Sequence, residues 1–103
     1  MTSAYEKLVD RVRMWTDTHG TTKGTGAFLL KLQEELGEVT GAWIKEKSHE
    51  ELAAEIGDMI IVLVAVGTSV GICPVIEGLK KMSVNEKRAG HVNGKGIFVK
   101  DGD

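Results

Sequence analysis

A chain of 103 residues, 42% hydrophobic and 27% charged, has the size and composition of one soluble globular domain. Its formal net charge of −2 excludes the basic footprint expected of a protein whose main activity is nucleic-acid binding. The only cysteine, Cys73, excludes an internal disulfide framework and fits a reducing compartment. No apolar signal stretch opens the sequence, and the longest unbroken apolar run, residues 59–67, is too short to span a bilayer. The expectation is a cytoplasmic protein with neither nucleic acid nor membrane as partner.

A first helix is expected to start at Ser3, with Glu6 completing a capping box and Tyr5, Leu8, Val9, Val12 and Trp15 forming one apolar face. Residues 19–26, rich in glycine and threonine, break the pattern and read as a flexible linker, with closure over a ligand as the functional alternative. A second helix over about residues 27–45 has Phe28, Leu32, Leu36, Val39 and Trp43 as its buried arc. A break at Lys47-Ser48 follows, and Ser48 with Glu51 caps a third helix that runs into the apolar residues 59–66 and ends near Gly71. Pro74 suits the first turn of a fourth helix with the face Val75, Ile76, Leu79 and Met82, stopping near Gly90.

The glycine-containing tail from about residue 90 holds one short alternating stretch, Ile97-Phe98-Val99. It reads equally as a hairpin fragment, a strap across a neighbouring subunit, or a disordered end. The fold class is therefore all-α, an antiparallel four-helix bundle forming one domain over residues 1–103. The third helix is too apolar for a monomer's surface, so a homodimer or homotetramer is expected.

Acidic residues cluster in the middle of the chain. Glu35 and Glu38 are three apart on one helix, and Glu55 and Asp58 are three apart on the next, so each pair shares a face. Glu35 falls inside the apolar arc and Glu38 at its edge. If the two helices fold back about Lys47-Ser48, both pairs lie within roughly one turn of the same height at 1.5 Å rise per residue. Four converging carboxylates repel one another unless a hard divalent cation sits between them, which points to Mg2+, with Mn2+ able to replace it. A single Glu pair at this spacing is ordinarily a solvated face; two level pairs beside apolar faces are a metal site. Gly37 and Gly57 would allow close helix approach beside the carboxylates, or serve packing alone. Trp15, Phe28 and Trp43 sit at core spacing, and at least two of them are expected in the core, with base stacking as the functional alternative. His19 and His91 are expected in solvent-facing loops.

At Lys31-Leu32-Gln33-Glu34-Glu35-Leu36-Gly37-Glu38 and Glu55-Ile56-Gly57-Asp58 the sequence resembles the MazG-like, all-α nucleoside triphosphate pyrophosphohydrolases. The likeness extends from Phe28 to Arg88, and Lys81, Asn85 and Arg88 match the basic and amide positions of that family's last core helix. It implies that Glu35, Glu38, Glu55 and Asp58 hold magnesium and that Glu34, Glu35 and Glu38 form the catalytic box, with Glu34 as candidate base or merely a surface residue. Lys31, Lys81, Asn85 and Arg88 would bind substrate. The activity implied is conversion of (d)NTP to (d)NMP and pyrophosphate, in nucleotide-pool house-cleaning. The alternatives are a phosphoribosyl-ATP pyrophosphatase-like enzyme and a non-catalytic helical interaction module.

Overall fold

The computed structural model describes residues 3–19 and 24–102. Four helices, α1 (Ala4–Thr18), α2 (Thr25–Ile44), α3 (His49–Ser69) and α4 (Pro74–Asn85), are followed by a two-stranded antiparallel hairpin of β1 (Gly90–Val92) and β2 (Phe98–Lys100). Of the flexible linker expected over residues 19–26, residues 20–23 lie outside the described residues, and Thr25 and Gly26 belong instead to the first turn of α2.

Both expected caps form. The Ser3 hydroxyl accepts the Glu6 amide at 3.1 Å, and the Ser48 hydroxyl accepts the Glu51 amide at 3.1 Å while donating to the Glu51 carboxylate at 3.2 Å. Two helix ends close with the same paired hydrogen bonds. At the end of α2, Glu46 donates to the Trp43 carbonyl and Lys47 to that of Ala42; at the end of α3, Gly71 donates to Thr68 and Ile72 to Gly67. The second uses a glycine at φ +70°, whereas the first places Glu46 at φ +53°, a conformation that crowds its Cβ. Pro74 opens α4 as expected, and Cys73 caps it, its sulfur accepting the Ile76 amide at 3.3 Å.

α2 and α3 form the main packed pair and run antiparallel, with a short turn at one end and the Thr25 and Ser69 hydroxyls 2.9 Å apart at the other. The residues withdrawn from solvent include, on α2, the series Phe28, Leu32, Glu35, Val39 and Ala42 and, on α3, the series Leu52, Glu55, Met59, Val62 and Val66. Both series alternate steps of three and four, the seam of a coiled-coil pair. The arc expected for α2 is thereby corrected: Leu36 is 55% and Trp43 73% exposed. Glu35 and Ala42 take the seam positions instead.

α1 packs on α3 around Val12, Val64 and Ala65, with Phe28 alongside. Tyr5 near its start hydrogen-bonds Cys73 just beyond α3, so α1 runs antiparallel to α3 and in the same direction as α2. That contact raises the Tyr5 phenol above its ordinary pKa, the Cys73 hydrogen bond being the larger cause and burial the next. The all-α class holds, with α1, α2 and α3 packed together and α4, among the described residues, touching α3 only slightly. The radius of gyration, 16.4 Å, accordingly exceeds the ~13 Å of a compact domain of this length.

α3 corrects the length argument made on residues 59–67. As a 21-residue helix it is long and apolar enough to cross a membrane by those measures alone. Asp58 stands next to its midpoint, where an aspartate costs about 2.5–3.5 kcal/mol at the centre of a bilayer, and Glu55 lies one turn earlier.

Candidate metal centre

Because Glu35 and Glu55 both occupy seam positions, the packing that buries neighbouring leucines and valines also turns these carboxylates inward. Glu35 is only 5% exposed. Asp58, one turn beyond Glu55, borders the seam, and one oxygen from each of Glu35, Glu55 and Asp58 lies within 4.8 Å of the others. One oxygen of Glu35 and one of Glu55 are buried without a hydrogen-bond partner. Leaving a buried acceptor unpaired costs about 1–3 kcal/mol, and more when it is charged. An all-oxygen donor set with two orphaned oxygens fits a hard divalent cation.

The nearest basic group is Lys31, one turn before Glu35 on α2. Its ammonium lies 3.1 Å from Glu34 and 3.3 Å from the second Glu35 oxygen. These contacts, Glu34's first, hold the Lys31 pKa above its ordinary value, so its positive charge is secure. One ammonium against three carboxylates leaves the cluster negative.

Two openings flank the cluster. A cleft of about 940 Å³ between α1, α2 and α3 is bordered by Glu35 and Asp58. A shallower groove of about 410 Å³ is bordered by Glu34, Glu38 and Glu55. Of the four expected metal ligands, three converge. Glu38 is exposed and stands outside the group, but shares the groove with Glu55. Glu34, also exposed, is tied to Lys31.

The expected substrate-binding residues divide. Lys31 borders the cleft, whereas no residue of α4 lines either opening beside the carboxylates. Asn85 and Arg88 line a separate groove with Phe98 and Lys100 of the hairpin, and Lys81 is exposed on α4. Gly37 and Gly57 face open space, so within one chain they do not serve close helix approach.

α1 contributes Arg11 and His19, which sequence reasoning left out of the site, beside Trp15, for which it offered base stacking as an alternative. Arg11, Trp15 and His19 recur every four residues and border the cleft opposite Lys31 and Asp58. The signal was available as a stripe beside the apolar face that includes Leu8 and Val12. Trp15 is 54% exposed, contrary to the core placement expected of most of the aromatic residues, and Trp43 is exposed as well. His19, just beyond the end of α1, is exposed as expected, and its ring stacks on Trp15 with centroids 4.4 Å apart. His91 lies in β1, 3.5 Å from Asp101.

The sequence matches no protein-family model and no curated protein. Among solved structures, a MazG-like pyrophosphohydrolase of cyanophage S-2L, bound to dGDP and three catalytic Mn2+ ions per active site, superposes with a TM-score of 0.78. The match covers 98% of this chain and 100% of the phage chain, at 19% sequence identity. The fold is that of the MazG-like pyrophosphohydrolases. At that identity the likeness establishes the MazG-like architecture, and the chemistry rests on this chain's own residues.

Proposed function

We propose that the chain is a divalent-metal-dependent nucleoside triphosphate pyrophosphohydrolase that converts (d)NTP to (d)NMP and pyrophosphate. The observation that carries this reading is the meeting of Glu35, Glu55 and Asp58, with two oxygens unpartnered, beside a cleft of nucleotide size. The MazG-like fold, seen with a nucleotide and Mn2+ in the phage protein, supports it.

Glu35, Glu55 and Asp58 would hold the cation, with Glu38 joining them from the neighbouring groove. Carboxylate ligation suits Mg2+, and Mn2+ in its place. When bound, such an ion supplies charge neutralisation at phosphate oxygens and a lowered pKa for a bound water. Lys31 adds a fixed positive charge where the phosphates meet the acidic cluster. Glu34, which shares the groove with Glu38 and Glu55, would be the carboxylate that accepts the proton of a water attacking the α-phosphorus. The seam packing shields one side of the reacting groups from solvent.

Lys81, Asn85 and Arg88 reach a substrate, in this reading, from the α4 of a second copy within a homodimer or homotetramer. The slight contact of α4 with its own chain and the exposure of Leu79 and Met82 on it support that arrangement. The cellular role proposed is cytoplasmic removal of unwanted nucleotides.

The test is pyrophosphate release from a panel of common and damaged nucleotides with Mg2+ or Mn2+. Release is expected to vanish on chelation and to fall by about a hundredfold or more in Glu38→Ala and Asp58→Ala. No release from any nucleotide, or unchanged rates in both variants, would reject the enzyme.

A further inference from the structure

The groove between the end of α4 and the hairpin stands apart from the carboxylate cluster of its own chain. It measures about 450 Å³ and is lined by Met82, Asn85, Glu86 and Arg88 on one side and by Phe98 and Lys100 on the other. The strand register explains why the hairpin presents those two residues. Gly90 pairs with Lys100 and Val92 with Phe98, so these four share one face, while His91 and Val99 share the other. Gly90 carries no side chain, and the Phe98 ring fills the space that one would need. A methyl group there would overlap the ring and come within 2.5 Å of the Val99 carbonyl. Asp101 lies 3.5 Å from His91, which belongs to the face turned away from Lys100.

Charge gives the groove a ligand class. Arg88 and Lys100 bring two cations and Asn85 an amide donor from two separate elements, against the one carboxylate of Glu86. Guanidinium, ammonium and amide together suit phosphate oxygens, and the apolar wall of Phe98 and Met82 strengthens such charge-assisted hydrogen bonds. Among the described residues, none of the hairpin borders either opening beside Glu35, Glu55 and Asp58 of the same chain. A basic groove here and an acidic cluster there are complementary between copies. In the proposed reaction, water adds to the α-phosphorus, its proton passes to Glu34, and the bond to the bridging oxygen breaks. The charge released collects on pyrophosphate, the end of the substrate that a cationic groove holds best.

We infer that Lys100 is a substrate-binding residue. The hairpin carries it, beside Asn85 and Arg88, onto the terminal phosphates of a substrate held at the carboxylate cluster of a second copy. This assignment rests on the pyrophosphohydrolase reading and adds the hairpin to that site.

The full chain in excess Mn2+ is titrated calorimetrically with inorganic tripolyphosphate, which carries the phosphates and no nucleoside. Lys100→Gln should weaken binding about tenfold or more, and Lys100→Arg should recover most of it. Lys95→Gln, in the hairpin turn and outside the groove, should leave it unchanged. In turnover, Lys100→Gln should raise the inhibition constant of pyrophosphate by a similar factor and leave that of the nucleoside monophosphate as it was. Asp58→Ala and Lys100→Gln chains co-expressed should recover about a quarter of the wild-type rate at limiting substrate, because roughly one site in four then joins an intact cluster to an intact hairpin. No tripolyphosphate binding by the wild type, equal binding by Lys100→Gln, or an equal loss in Lys95→Gln overturns the assignment. So does a co-expressed rate no higher than the mean of the two variants. If nucleotides are cleaved while Lys100→Gln behaves as wild type, the hairpin's role falls and the enzyme stands. If Lys100→Gln weakens tripolyphosphate binding but no nucleotide is cleaved, the anion groove stands and the proposed reaction falls.

Discussion

Glu35 occupies a seam position that otherwise takes an apolar side chain, and Glu55 does the same on the facing helix. Two such substitutions in one seam are costly unless the charge is used, because each removes apolar burial and adds an unpartnered oxygen. Glu35→Gln should therefore stabilise the metal-free protein by about 1–3 kcal/mol in chemical denaturation, while removing any stabilisation by Mn2+. Loss of stability without metal would show that the carboxylate is satisfied in some other way. The inward placement of Glu35 was legible in the sequence from its phase within the apolar arc. The exposure of Leu36 and Trp43 was not, because helical periods of 3.5 and 3.6 select different neighbours and only the packing partner decides between them.

Element boundaries followed the capping residues closely: Ser3, Ser48 and Pro74 each mark the start of a helix. The hairpin was left open by the sequence because two strands of three residues carry little periodicity. Asn93 now explains its turn, its side chain accepting the amides of Lys95 at 2.9 Å and Ile97 at 3.1 Å. Glycines separate by what surrounds them. A methyl group at Gly67 would come within 2.6 Å of the Ile72 carbonyl and of Pro74, where α3 turns into α4. Gly67→Ala should cost about 1–3 kcal/mol. Gly37→Ala meets open space and should stabilise α2 by up to about 1 kcal/mol. Thermal unfolding of the two variants checks both signs, and a destabilised Gly37→Ala would mean that another chain packs there.

For the whole molecule, the described residues enclose little: Val12, Ala42, Val64 and Ala65 are the buried hydrophobic residues, and Leu30, Ile44, Trp43 and Leu79 are exposed. The apolar character of the third helix was legible in the sequence; the parallel course of α1 and α2 was not, because it depends on the distant contact between Tyr5 and Cys73. An extended chain with apolar faces on α2, α3 and α4 should associate with copies of itself. Light scattering at micromolar concentration should give twice or four times the monomer mass of 11.1 kDa, and a monomer mass would refute the shared-site arrangement.

The central claim is that Glu35, Glu55 and Asp58 form a cation site, and calorimetric titration of the metal-free protein with Mn2+ addresses it without turnover. Saturable binding is predicted for the wild type, weakened tenfold or more in Asp58→Asn and in Glu55→Gln. Equal binding in all three proteins, or none in the wild type, would contradict it.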